Sequence, residues 1–321
     1  MNRYARQTCL PEVGEEGQAR LAAARVLLVG AGGLGSAALP LLAGAGVGQL
    51  RIVDPDVVEE SNLHRQTLYR MSDIGRSKVE AAAEALSALN PDCRIDPLQA
   101  RLDPALARAE LSGADVVIDA ADSFAVTYAL SDLFLAGGVP LISASVLGRS
   151  GYAGGFCGGA PSYRSVFPDL PALVQSCAVA GVMGPAVAML GSLQAQMALS
   201  VLLGHAPSPL GQVISVGLAT WRSAGFRFDT APEPEVAGPA VLSRSDLDPA
   251  DLVVELRPVE ESPGLPVPHA LRLGSAEAAK FDPPPAARVV FVCATGLRAW
   301  RAAQALALRH TGPVAILADG P

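Results

Sequence analysis

One stretch near the start, RVLLVGAGGLGSAALPLLAGAG (Arg25 to Gly46), constrains the fold more than any other part of the chain. A short apolar, β-rich run from Arg25 to Val29 meets Gly30, Gly32 and Gly35 in G-x-G-x-x-G spacing, and an Ala/Leu-rich segment of helical character follows. A second strand, QLRIVDPDVV, ends at Asp54. Two more apolar runs, ADVVIDAAD (Ala114 to Asp122) and VPLISASV (Val139 to Val146), have helix-like sequence between them. Such alternation predicts an α/β fold, a Rossmann-like and mostly parallel sheet with crossover helices. Ligands in these sheets bind beyond the carboxyl ends of the strands, where Gly30, Asp54 and Asp122 are expected to cluster.

A glycine turn alone is weak evidence, because glycine turns also serve plain packing. Here the turn follows a strand, opens a helix, and is followed by an acid at the end of the next strand, which together form a nucleotide fingerprint. Gly30, Gly32, Gly33 and Gly35 let backbone N–H groups approach phosphate, and Asp54 can accept both ribose hydroxyls. SNLHRQ (Ser61 to Gln66) and GRSK (Gly75 to Lys78) then place Asn62, Arg65, Gln66 and Lys78 after the ribose acid. A dinucleotide pyrophosphate is held by a glycine turn and a helix N-terminus. The added cations and amides suit a triphosphate, whose charge must be stabilised as it is displaced. Asp122 has two open roles, a ligand for Mg2+ or the N-cap of the following helix.

Composition excludes several classes. A formal charge of -7 with no Lys/Arg run, and aromatics at 5%, argue against nucleic-acid binding. No stretch reaches the ~18 uninterrupted apolar residues of a membrane span, and MNRYARQTCL lacks an apolar signal core, so a cytoplasmic protein with no membrane partner is expected. MGPAVAMLGSLQAQMALSVLLG, from Met183, is apolar almost all round but broken by Gln194 and Gln196, as suits a helix buried in a dimer or against a sheet. The cysteines (Cys9, Cys93, Cys157, Cys177, Cys293) are scattered, with no C-x-x-C pair, so neither a disulfide scaffold nor a zinc site is expected. Packing is the plain expectation for Cys9, Cys93 and Cys157.

After Phe228 the composition changes. TAPEPEVAGPA marks a Pro-rich linker, giving an expected division into residues 1–230, a linker over 231–240, and a small α/β unit over 241–321. In that last unit RVVFVCATGLRAW reads strand, loop, helix, and the loop runs from Cys293 to Arg298. Backbone N–H groups converging at a helix N-terminus lower a thiol's pKa and bind anions, so this loop suits sulfur chemistry.

RYARQ, LPEVGEEGQ, RVLLVGAGGLGS, VDPDVVEESNLHRQ, DIGRSK, LNPD, DVVIDAAD and CAVAGVMGP, in this order, resemble the ThiF/MoeB/HesA family, relatives of the ubiquitin-activating enzymes. The likeness runs from about Arg3 to Phe228. It implies an adenylyltransferase in which the C-terminal glycine of a ubiquitin-like sulfur carrier ending in Gly-Gly attacks the α-phosphate of MgATP. By the resemblance, the Gly30 to Gly35 loop holds phosphate and Asp54 the ribose. Asn62, Arg65, Gln66 and Lys78 hold the triphosphate, and Asp122 the magnesium. Arg6 matches an arginine that enters the partner's ATP site, which implies a homodimer. Cys177 matches a cysteine that some members use for thioester or acyl-disulfide chemistry. The last 80 or so residues resemble a shortened rhodanese domain, with Cys293 and Arg298 at the ends of its C-x-x-x-x-R loop. A cysteine desulfurase would then supply sulfur, for molybdopterin, thiamine or thiolated-tRNA synthesis.

The chain also departs from that pattern. Ser162 and Ser165 stand where the family's first C-x-x-C lies, and FDTAPEPEVAGP offers no second pair, so zinc is expected to be absent and packing to hold that stretch. Asp122, Ser123 and Thr127 replace D-N-x-x-x-R, and Glu255 stands where the rhodanese turn usually has aspartate. Two other functions therefore stay open at this point: adenylation of another carboxylate, on a peptide or a tRNA base, and a degenerate protein that only binds nucleotide or carrier.

Overall fold

In a computed structural model of the chain, residues 3–170, 181–235 and 238–320 are described. The Arg25–Val29 run forms β1, buried at every position after the first. With β2 (Gln49–Val53), β3 (Arg94–Leu98), β4 (Val116–Asp119), β5 (Pro140–Leu147), β6 (Ser150–Cys157), β7 (Gln212–Gly217) and β8 (Arg222–Arg227) it builds a sheet of order β3-β2-β1-β4-β5-β6-β7-β8. Strands β1 to β5 are parallel, and β6, β7 and β8 extend the sheet antiparallel. The chain leaves β1 toward β2 on one side and returns to β4 on the other, which opens a crevice at the carboxyl ends of β1 and β4.

Helices α1 (Ala5–Thr8), α2 (Gly14–Ala23), α3 (Gly33–Ala45), α4 (Lys78–Leu89), α5 (Pro104–Leu111), α6 (Phe124–Gly137), α7 (Tyr163–Val166) and α8 (Gly184–Leu203) accompany this sheet. By length and composition α8 could cross a membrane, yet Ala186, Val187, Leu190, Gly191, Ala195 and Ala198 bury one face of it against α3 and the sheet. Its fully buried Gln194 donates to the backbone carbonyl of Asp119 at 2.7 Å. A polar residue in a mostly apolar helix is thus spent on the carbonyl of the last residue of β4.

A second sheet is all parallel, in the order β11-β10-β12-β13-β9. Its strands are β9 (Ala240–Leu242), β10 (Leu252–Glu255), β11 (Leu271–Arg272), β12 (Val289–Cys293) and β13 (Val314–Ala318), with α9 (Ser275–Ala278) and α10 (Leu297–Ala307) beside them. The sheets share one apolar cluster that takes in Leu27, Tyr128, Phe134 and Phe156 from the first and Val254, Phe291, Cys293 and Trp300 from the second. Trp300 stacks on Tyr128 of α6 with ring centroids 4.4 Å apart. The Arg164 guanidinium lies over both rings, at 4.7 and 5.3 Å, while pairing bidentately with Asp132 at 2.6 and 2.8 Å.

Packing is not the only thing that holds the stretch around Ser162. The Glu233 carboxylate accepts the Ser162 N–H at 2.7 Å and also the Ser162 hydroxyl, tying the proline-rich segment back to the start of α7. Arg164 adds a bond to the Pro239 carbonyl at 3.3 Å. Cys93 and Cys157 are buried, as expected of packing residues, whereas Cys9 is exposed, because α1 buries none of its residues.

Candidate functional site

The crevice holds a cavity of about 580 Å3 lined by Gly30, Gly32, Gly33, Asp54, Asn62, Arg65, Gln66, Lys78 and Asp122 among others. The glycine loop is shaped by close backbone contacts. Gly30 has a φ of +94°, and a methyl group on it would lie 2.6 Å from the Ala120 carbonyl oxygen; on Gly35 it would lie 2.0 Å from that of Gly30. Only a hydrogen fits at either place. Gly33, the first residue of α3, turns the helix N-terminus toward the cavity, the arrangement that favours phosphate.

Asp54 lies just past β2, and its two carboxylate oxygens accept the Ala31 and Asp56 N–H groups at 2.7 and 2.8 Å. Burial raises its pKa and Lys78 pulls it back. Tyr69, which the sequence reading passed over, donates to the Ala31 carbonyl at 2.7 Å and fastens the same loop. Lys78 opens α4 and reaches back to Asp56 at 2.7 Å. The Gln66 side chain is buried near Gly32, and its Oε1 has no partner among the described residues. Arg65 is half-exposed and donates to the Ser61 carbonyl at 3.0 Å. The Asn62 side chain is oriented locally, its Oδ1 accepting the Glu59 N–H at 3.3 Å. Arg101 also lines the cavity and carried no signal in the sequence.

β4 ends at Asp119, not at Asp122. Asp122 lies in the loop before α6 with an exposed side chain, and no hydrogen bond makes it the cap of that helix. The buried acid is Asp119, 1% exposed, whose Oδ2 accepts the Thr127 and Ser143 hydroxyls at 2.7 and 2.8 Å. Thr127, at the place of the family's arginine, thus caps a carboxylate. Burial pushes the Asp119 carboxyl up to about 6 against these hydrogen bonds. Its folded pKa exceeds its unfolded one, so the folded state binds the proton more tightly and loses stability as pH rises from about 4 to about 6. Asp119→Asn is expected to remove this slope, so the Tm of the wild type should fall relative to the variant across that window. Parallel Tm curves would mean that Asp119 folds ionised.

Arg6 is exposed on α1, beside the carboxyl end of α3, where its neighbour Gln7 donates to the Ala45 carbonyl at 2.9 Å. The length of α3, ~20 Å for its residues Gly33–Ala45, separates it from the glycine loop of its own chain. Cys177 lies outside the described residues. Cys293 ends β12 at 0% exposure, and its sulfur accepts the Ala299 N–H at 3.4 Å. Gly296, at the tip of the loop, packs on Ala125 of α6, so the thiol is closed in this arrangement. Arg298 pairs with Glu261, and the guanidinium pulls that carboxyl below its ordinary value. Close by, the fully buried Glu255 is held by Arg257 at 2.6 Å, and Arg257 also reaches Asp319 at 2.9 Å. Among the described residues no group of three His, Cys, Asp or Glu side chains converges, so any magnesium at Asp122 would draw most of its ligands from the nucleotide's own oxygens and water, a donor set that suits this ion.

A family profile described as the ThiF family matches residues 4–235. The chain is 39% identical over 234 residues to the SAMP-activating enzyme E1 of Haloferax volcanii, covering 72% of this chain and 85% of that protein. It is 44% identical over 205 residues to adenylyltransferase and sulfurtransferase UBA4 of Yarrowia lipolytica and 45% over 217 residues to MOCS3 of Bos taurus, but spans only 52% and 48% of their lengths. Among solved structures, a crystal structure of E. coli MccB with MccA-N7isoASN shares the fold, with a TM-score of 0.66 over 74% of this chain and 75% of that one at 21% identity.

Proposed function

The chain belongs to the ThiF family, and from that premise we propose that it is an adenylyltransferase that activates the C-terminal glycine of a ubiquitin-like sulfur carrier ending in Gly-Gly. The observation that carries this reading is the single cavity that gathers the Gly30 to Gly35 loop, Asp54, Gln66, Lys78 and Asp122 at the mouth between β1 and β4. ATP binds with its ribose on Asp54 and its phosphates on the loop, Asn62, Arg65, Gln66 and Lys78. A carboxylate oxygen of the carrier attacks the α-phosphorus, the bond to the β-phosphate oxygen breaks, and acyl adenylate and pyrophosphate result. Catalysis is mostly alignment and charge stabilisation. Asp122 would hold magnesium, which neutralises phosphate charge when bound. A homodimer is part of the reading, supported by the distance of Arg6 from its own glycine loop.

The sulfur half uses the Cys293 loop of the rhodanese-like unit. The terminal sulfur of a Cys293 persulfide, loaded by a donor such as a cysteine desulfurase, attacks the acyl carbon and AMP leaves. The Cys177 thiol would then attack the Cys293 sulfur of the resulting acyl disulfide, releasing the carrier thiocarboxylate and leaving a Cys177–Cys293 disulfide for an external thiol to reduce. This half requires the loop to open from the closed arrangement, and the pairing of Arg298 with Glu261 is the contact to release. The product would feed molybdopterin, thiamine or thiolated-tRNA synthesis. Zinc has no place in this reading, since the Glu233 clasp on Ser162 occupies the stretch in question.

The test is ATP–pyrophosphate exchange with a carrier protein, comparing an intact Gly-Gly tail with one lacking the last glycine. Exchange is expected only with the intact tail, to fall sharply in Asp122→Ala, and to persist in Cys293→Ser while thiocarboxylate formation stops. ATP binding without exchange on any such carrier would overturn the carrier reading.

A further inference from the structure

The cavity's lining follows the strand order. Asp54 lies past β2, the glycine loop past β1, Asp122 past β4, Ser143 and Ser145 on β5, and Tyr152 on β6. Strands lie ~4.8 Å apart, so β6 is roughly 15 Å from β1. The cations in the lining, Arg65, Lys78 and Arg101, all come from segments after β2 and β3. At the β5–β6 end the polar lining of the described residues consists of hydroxyls, and the apolar lining includes Val146 and Leu147. Ser145, Leu147 and Tyr152 also border an open groove over β5 to β8, so the cavity and the groove meet at Tyr152.

The Tyr152 and Tyr163 hydroxyl oxygens are 2.5 Å apart. One O–H can donate across that gap, and the other proton has no acceptor among the described residues. Nearby Asp119 is already engaged: Thr127 and Ser143 donate to Oδ2, and the Ala121 N–H to Oδ1 at 3.2 Å. Tyr163 is only 2% exposed, while Tyr152 is half-buried. The free donor is therefore better placed on Tyr152, with Tyr163 donating to it. Stacking fixes both rings on Phe167, at centroid distances of 5.0 and 4.7 Å. A donor with no acceptor among the described residues, on a cavity wall away from that cavity's own cations and with Arg222 in the adjoining groove, points to an acceptor on the ligand.

We propose that Tyr152 receives and orients the acyl group of the substrate, donating to its carboxylate and then to the carbonyl oxygen of the adenylate, and that Tyr163 is the positioning residue that aims it. The assignment rests on the adenylation reading above. Burial pushes the Tyr152 hydroxyl up to about 12, so it is a neutral donor at physiological pH. A bidentate guanidinium here would hold the carboxylate as a tight ion pair and blunt it as a nucleophile, whereas a single phenol orients it and leaves its charge available.

The test measures the affinity of the intact chain for two probes, adenosine 5′-sulfamate and its N-acetylglycyl-sulfamoyl counterpart. Wild type is expected to bind the glycyl probe more tightly. Tyr152→Phe should cut that advantage about tenfold and Tyr163→Phe only about two- to threefold, with the plain sulfamate bound as before by both, which also reports an intact cavity. In exchange, Tyr152→Phe should raise the KM for the carrier and leave that for ATP unchanged, a split that a merely structural role would not produce. A wild-type advantage kept in Tyr152→Phe, or lost more fully in Tyr163→Phe, overturns the assignment. A wild type that gains nothing from the glycyl group instead sinks the adenylation reading itself.

Discussion

Lys78→Ala is expected to lower the proposed carrier-dependent ATP–pyrophosphate exchange by about a hundred- to a thousandfold. The cause is local: Lys78 is the cation that opens α4, buried beside the glycine loop and Asp54 and aimed by Asp56. A nucleotide that sheds pyrophosphate needs positive charge where the leaving group gains negative charge, inside a cavity that screens little. Folding should suffer far less, by about 1–2 kcal/mol, because the carboxylate left behind, Asp56, is 62% exposed on its side chain and rehydrates. Exchange rates and urea melts of the same preparation separate the two effects. An exchange rate within a factor of about three of wild type would remove Lys78 from the nucleotide machinery.

Trp300→Ala is expected to cost about 3–5 kcal/mol of stability. Its side chain is 1% exposed, stacked on Tyr128 of α6 and beneath the Arg164 guanidinium, so truncation opens a cavity between the two sheets and removes the cation–π contact. Arg164 keeps Asp132 and the cost is confined to the seam. Because both sheets contribute to one apolar cluster, urea should unfold wild type in a single transition. Two transitions in the variant, the earlier one carrying the second sheet, would locate the loss at the seam. A loss below about 1 kcal/mol would mean that the second sheet folds without leaning on the first.

The seam also bears on sulfur chemistry. α6 faces two ways: Phe124 and Thr127 line the cavity between β1 and β4, while Ala125 and Tyr128 meet Gly296 and Trp300 of the cysteine loop and helix. The proposed transfer by Cys293 therefore has to open a contact that also supports the fold. Local opening of this kind draws on elements of low local stability.

Much of the site was legible in the chain. The Gly30 to Gly35 loop, Asp54 and Lys78 follow strands or open helices within short segments, and the period of the apolar residues reveals those elements. The parallel order, too, follows from alternation. Asp122 was placed in the right cavity but on the wrong local feature, because the run DVVIDAAD carries two acids and only the ladder decides which one the strand keeps. Glu233 read as a linker acid since its partner, Ser162, lies far back along the chain.

Sequence by itself therefore determined the main elements, the crevice and, Arg101 apart, the charged half of the cavity, for these depend on periodicity and on residues a few positions apart. Tertiary structure alone decided that Tyr152 meets Tyr163, that Thr127 and Ser143 converge on Asp119, and that Cys293 is closed against α6. Each of those meetings joins residues from different elements, strand to helix, strand to strand or loop to helix. Strand order and the docking of two sheets set such distances, and no spacing along the chain encodes them.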